Sequence, residues 1–437
     1  MSILTAILVL SFLIIIHEIG HYAAAKLLGV KVVEFSLFMG PRLLSFQRGE
    51  TRYSLKLIPV GGSCLMEGEQ SSSADNKALN QKPRWVRAVI FLAGSFMNLA
   101  TAYILILIIS FYNGSPSNVI TSVSNYITYE QGYERLAPGD DIISYAGRRV
   151  RVPSEIYLYL QDTKGAPAEI RFKRDGETRR TVIRPDYTPA KRYILGFTGA
   201  ESFGPDWNLA AEVSPGDPAE LMGLRPGDRI ITVAGRTPQD RAELRAILEE
   251  NDGGEVTVTW IKADGTPGEG RLTPKLVEGQ EQYVLGVYFD SVKNPGLLYA
   301  VRYAFFDSIS YSKMIIYSVK WMVTGAIGLN HVSGPVGIVA EIGAVVDETS
   351  KSPDGPGLMI SYLMHLSALI GINLGLFNLI PFPPLDGSKL LLLGIEAVRR
   401  KDISYERQMA ISMVGFVVFV IIMLLTLFND ITRIVAK

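Results

Sequence analysis

An uncharged, largely apolar run from Ile3 to Ile16 leads straight into His17-Glu18-Ile19-Gly20-His21, and apolar character resumes from Tyr22 to Ala25. Two histidines four residues apart share one face of a helix, so both rings can reach one metal ion. The glutamate between them is then placed to take a proton from a water that the metal holds. The stretch from Ile3 to Ala25 is 23 residues long, roughly 35 Å of helix against a bilayer core of about 30 Å. Ionisable side chains inside such a span are costly and mark function by default. The pattern predicts a metal hydrolase working within a membrane, with a metal site that does no catalysis as the plainer alternative. The segment lacks a basic start, and cleavage after it would strand the motif, so it reads as a span and not as a removed leader.

Composition fits a membrane protein with a substantial polar part: 48% hydrophobic residues, 20% charged, and a formal net charge of zero. That balance gives no reason to expect nucleic acid as a partner. Cys64 is the only cysteine, which excludes a disulfide framework and a cysteine-based zinc site. Three more apolar stretches follow, Val86 to Phe111, Leu358 to Pro381 and Met409 to Phe428. Between the first two spans, Lys26 to Arg87 carries ten Lys/Arg against five Asp/Glu, and Arg399, Arg400, Lys401 and Arg407 separate the last two. The positive-inside rule makes both links cytoplasmic and places both termini outside. His17, Glu18 and His21 then lie toward the cytoplasmic end of their helix, with Lys26 at the boundary.

Between spans two and three lies a polar region of about two hundred residues, which this topology puts outside the cytoplasm. It contains a repeat. Pro138-Gly139-Asp140-Asp141-Ile142-Ile143 returns as Pro226-Gly227-Asp228-Arg229-Ile230-Ile231, and Leu195-Gly196-Phe197 returns as Leu285-Gly286-Val287. Each copy reads as a small β-rich domain and resembles a PDZ domain of the protease-associated type. The second copy, with Gly223-Leu224 before its Pro-Gly-Asp turn, is the better match. Three roles are open: a spacer, a peptide-binding module working by strand addition, or a steric filter over the membrane site.

A catalytic zinc needs three protein ligands and an open position. The third could come from His331, His365 or an intramembrane carboxylate. Asp386 follows Asn378-Leu379-Ile380-Pro381-Phe382-Pro383-Pro384-Leu385, a stretch whose prolines exclude an intact helix. Non-helical backbone at membrane depth survives only where protein buries it or where it lines a wet cavity. From the residues alone, Asp386 is either a metal ligand or a solvated helix cap.

Taken together, the chain resembles the site-2 protease family of intramembrane zinc metalloproteases, in the bacterial branch with tandem PDZ domains (the regulator of sigma-E protease type). The resemblance rests on HExxH in the first span, Gly94-x-x-x-Asn98 in the second, and the two PDZ-like units. It continues through Ser333-Gly334-Pro335-Val336-Gly337-Ile338 to Asn-x-x-Pro with Leu385-Asp386-Gly387, all in family order. It implies Zn2+ held by His17, His21 and Asp386, with Glu18 catalytic. It also implies that Asn378 and Asn373 hydrogen-bond the backbone of an unwound substrate. The segment Lys31 to Met66 is implied to be a β-loop dipping into the membrane, its edge able to pair with substrate. One departure is visible: a Gly-Phe-Gly-Pro stretch common in the family reads Phe38-Met39-Gly40-Pro41 here.

The expected fold is therefore a membrane α-helical protein of four transmembrane helices with a re-entrant β-loop and two PDZ-like domains. Its expected divisions are 1–25, 26–85, 86–111, 115–200 and 201–290 for the two PDZ-like units, 295–357 with an amphipathic helix at the outer interface (bearing Arg302, Lys320 and Trp321), 358–395, and 409–428. The expected function is intramembrane cleavage of single-pass membrane proteins, such as anti-sigma-factor remnants or leftover signal peptides, in a bacterial inner membrane. The lipid bilayer and those substrates are the expected partners. A PDZ-bearing scaffold or metal-binding chaperone without peptidase activity is the alternative. Glu18 separates the two, since a metal store needs the histidines but not the carboxylate.

Overall fold

The computed structural model describes residues 2–123, 127–188, 191–199, 206–239, 241–278, 282–325, 334–349 and 355–435. His331 and Ser333 lie outside them. The chain divides into two compact units, Met1–Ser115 with Lys293–Lys437, and Pro116–Val292. Ten α-helices run in chain order among the described residues: α1 Ser2–Leu27, α2 Arg84–Asn113, α3 Pro153–Asp162, α4 Pro218–Met222, α5 Arg241–Glu250, α6 Leu297–Val323, α7 Pro335–Thr349, α8 Gly355–Phe377, α9 Asp386–Arg399 and α10 Tyr405–Val435.

Among the described residues of the first unit, four helices are long and apolar enough to cross a membrane: Ile3–Leu27, Arg84–Asn113, Pro356–Phe377 and Tyr405–Thr432. Their side chains are apolar nearly all round, as lipid-facing helices require. Helix α2 is the hub, packing against α1, α6, α8 and α9. It begins after Pro83, whose missing N–H costs nothing at a helix start, and ends at Gly114, whose φ is 84°. Helix α6 buries Ala300, Ala304, Asp307 and Ser310 on one face. The helix packs on α2 and α8, and Leu297, Leu298, Phe305, Ile316 and Val323 are exposed along it. The third apolar stretch stops at Phe377, and a new helix starts at Asp386. The prolines prevent a continuous helix, and the Gly387 amide closes the break by donating to the Asn378 carbonyl at 2.7 Å.

Between α1 and α2, strands β1 (Val32–Arg48) and β2 (Thr51–Met66) fold back on themselves. Residues 34–37 of β1 pair on both sides, with 52–55 and with 62–65, while 42–48 pair with 51–56. The result is a four-stranded sheet with residues 62–66 along one edge. Phe38 sits at the bend with φ 68°, a left-handed conformation that suits glycine. The Gly-Phe-Gly-Pro pattern has glycine there, so the departure seen in sequence falls on a backbone position of known cost. Leu43, Leu44, Phe46, Leu57 and Ile58 leave this sheet with an exposed apolar skin.

The second unit is β-rich. Its core contains Leu195, Trp207, Leu224, Ile230, Ile247, Val258 and Trp260. Both Pro-Gly-Asp turns close in the same way. Asp140 Oδ2 accepts from the Ala137 amide at 2.8 Å and Asp228 Oδ2 from the Arg225 amide at 2.9 Å. Both carboxylates are buried. Arg174 donates to both Asp140 oxygens, Nε to Oδ1 and Nη2 to Oδ2, each at 2.7 Å, a two-point charge-assisted contact that pushes the Arg174 pKa up. The repeats exchange their closing strands. Phe197–Gly199, from the first, pairs antiparallel with Ala210–Val213 of the second. Val287–Val292, from the second, hydrogen-bonds Ser115–Val123 of the first.

Candidate metal centre

The HExxH helix and the proline break meet at one point. His17 Nε2, His21 Nε2 and Asp386 Oδ2 form a triangle with all three sides 3.1 Å. A tetrahedral zinc with bonds of about 2.0–2.1 Å sets its donors roughly 3.3 Å apart, so the triangle is the right size for one ion. Two imidazoles and a carboxylate also match the ligand chemistry of catalytic zinc. Among the described residues this is the group of metal-ligating side chains close enough to share an ion. Both histidines are buried, and the Asp386 side chain is 12% exposed.

Helix α2 shapes the cradle. A Cβ on Gly94 would lie 2.5 Å from His21 Nε2 and 2.6 Å from His17 Cε1, so only a glycine lets both rings lie against this helix. The His21 Nδ1 proton goes to the Ile90 carbonyl at 2.8 Å. A carbonyl can only accept, which leaves His21 Nε2 with its lone pair free for a metal. From the other side, Gly387 permits Asp386 to start α9 tightly against the break: a Cβ there would meet the Leu379 and Ile380 carbonyls at 2.3 Å.

Beside the triangle is a cavity of about 460 Å³ lined by Glu18, Ser63, Cys64, Asn378 and Lys389 as well as the three donors. Ser63, Cys64, Leu65 and Met66 line the same cavity as Glu18. The edge strand 62–66 therefore runs along the wall of the cavity, with no ladder partner on its outer side among the described residues. Such an arrangement can polarise a carbonyl, deprotonate a water and hold an extended peptide, which are the elements of metal-assisted amide hydrolysis.

The sequence pattern of peptidase family M50 matches residues 5–422, nearly the whole chain. The chain belongs to peptidase family M50. It is similar to the zinc metalloprotease RasP of Geobacillus kaustophilus, 26% identical over 446 residues that cover 99% of this chain and 98% of that protein. The regulator of sigma-W protease RasP of Bacillus subtilis is 27% identical over 447 residues, with 99% and 98% covered. A putative zinc metalloprotease of Neisseria meningitidis is 29% identical over 463 residues, with 99% of each chain covered. The protein is a membrane-embedded metalloprotease of the site-2 type, and its donor set is that of a zinc enzyme.

The structure separates the sequence candidates. Asp386 joins the histidines. His365 does not, and its Nε2 instead bonds Tyr311 Oη at 3.2 Å. Asn378 lines the cavity, whereas Asn373 is not among the residues that do. Sequence reading missed Lys389, whose Nζ lies 2.9 Å from Glu69 Oε1 and 3.7 Å from Asp386 Oδ1. Its position three residues after Asp386, one turn along the same helix, was the available signal.

Proposed function

We propose that the chain is an intramembrane endopeptidase in which His17, His21 and Asp386 hold the zinc and Glu18 moves the proton. The observation that carries this reading is the triangle of donors with Glu18 in the same cavity. Zinc bound there would acidify a water and polarise the scissile carbonyl. With the ion bound, Glu18 would take the proton from the attacking water and return it to the leaving amine nitrogen. A transmembrane helix hides its peptide groups, so the substrate must first be extended. The free edge at 62–66 offers strand addition beside the site, and Asn378 supplies an amide to hold the unwound backbone, with Asn373 a further candidate.

The substrates are the membrane segments of single-pass proteins, with anti-sigma-factor remnants and leftover signal peptides as the leading classes. The Bacillus subtilis relative, a regulator of sigma-W protease, supports the first of these. The β1–β2 sheet acts as a re-entrant loop, since its apolar skin would be an association hazard in water but suits lipid. The positive charge of both links supports a site near the cytoplasmic face of a bacterial inner membrane, with four spans and PDZ-like repeats outside.

The test is co-expression with a tagged, trimmed anti-sigma-factor remnant, comparing the wild type with Glu18→Gln. Cleavage by the wild type alone supports the reading; equal cleavage by both ends it.

A further inference from the structure

His17 and His21 differ in how their second ring nitrogen is held. His21 Nδ1 faces the Ile90 carbonyl, which fixes its tautomer. His17 Nδ1 faces the side-chain amide of Asn98, with Nδ2 placed 3.4 Å away. Asn98 is fully buried, and its Oδ1 has no hydrogen-bond partner among the described residues. For His17 to direct the Nε2 lone pair at a metal, Nδ1 must carry the proton, and that proton needs an acceptor. An amide nitrogen cannot accept it. The two ends of an amide exchange by a half-turn about χ2 and are not distinguished by shape. That half-turn brings Oδ1 to Nδ1. Ile90, Gly94 and Asn98 are spaced four apart on α2, as His17 and His21 are on α1. One stripe of α2 thus supplies an acceptor, a gap and a second acceptor for two adjacent rings.

We propose that Asn98 is a positioning residue, whose amide oxygen accepts the His17 Nδ1 proton and so fixes the tautomer and ring plane that aim Nε2 at the zinc. This rests on the reading that His17 is a ligand. The role explains why the Gly94-x-x-x-Asn98 spacing matters: the glycine admits the rings and the asparagine orients one of them.

The experiment uses the full-length enzyme in detergent, with zinc affinity measured by chelator competition and the imidazole nitrogens of 15N-histidine protein read by NMR. With 4 histidines in the chain, the His17 signals are assigned by their loss in His17→Ala. Asn98→Leu is expected to lower zinc affinity 10–100-fold, the usual cost of an outer-shell partner. Asn98→Asp, which can only accept, is expected to keep wild-type affinity. His17 Nδ1 should read as protonated in the wild type and Asn98→Asp, and as a tautomer mixture in Asn98→Leu. Wild-type affinity in Asn98→Leu, or a tenfold loss in Asn98→Asp, overturns the proposal, and either variant decides it if the other does not fold. If His17→Ala keeps full zinc affinity, the ligand reading itself has failed, a result distinct from failure at Asn98.

Discussion

In the proposed mechanism His17, His21 and Asp386 need only present a lone pair, while Glu18 has to exchange a proton. Glu18→Gln keeps the shape and the ligands, so about one zinc per chain should remain while cleavage is lost. Metal content by mass spectrometry beside a cleavage assay checks both halves. Asp386→Asn replaces an anionic ligand with a neutral amide. Its cost in zinc affinity should be at least the 10–100-fold seen when outer-shell partners are lost, and unchanged metal content would remove Asp386 from the ligand set. Gly94→Ala should act through sterics alone. Its methyl would sit 2.5 Å from His21 Nε2, so zinc binding and activity should fall together although no ligand has changed. His17, His21 and Glu18 were legible as candidates from spacing, because i and i+4 on a helix fix where side chains point. Asp386 was not, because its approach depends on how the chain crosses the proline break. The contact of Gly94 with the rings was invisible because a missing side chain leaves no signature of what fills its place.

Secondary-structure elements were easier to find in sequence than their partners. The four apolar helices could be read from length and composition, since a bilayer sets both. The β1–β2 segment was readable as strands, but not its doubled pairing, in which residues 34–37 serve two ladders. The repeat was also visible, yet its exchanged closing strands were not, because sequence similarity records which strand is equivalent and not which one it pairs with. This has a measurable consequence. Residues 115–200 expressed alone lack strand Val287–Val292 for the sheet edge at Ser115–Val123, so they should give no cooperative unfolding transition, whereas residues 116–292 should. A cooperative transition from 115–200 alone would show the exchange to be dispensable. Within the intact unit, Asp228→Ala removes the acceptor for the Arg225 and Ala263 amides. Leaving those donors unsatisfied should cost about 1–3 kcal/mol, read as a shift in the urea midpoint.

At the scale of the whole molecule, the β-rich unit enters the chain after Ser115 and leaves it before Lys293, between two helices of the membrane unit. All the proposed chemistry lies in the other unit, so the repeats need not touch the scissile bond and can act on which substrates arrive. If they work as a size filter, removing residues 116–292 should let the enzyme cut a substrate that still carries its bulky outer domain. The exchanged strands dictate that both repeats be removed together, because deleting one would leave an open sheet edge and confuse misfolding with altered selectivity. A recruiting role predicts the reverse: weaker cleavage even of a substrate already trimmed. Trimmed and untrimmed substrates are therefore compared with intact and deleted enzyme at matched membrane levels, and zinc content confirms that the membrane unit has kept its site. Cleavage of the untrimmed substrate by the deleted enzyme alone supports the filter. Unchanged selectivity from an active, zinc-loaded deletion would show that size exclusion resides elsewhere in the membrane unit.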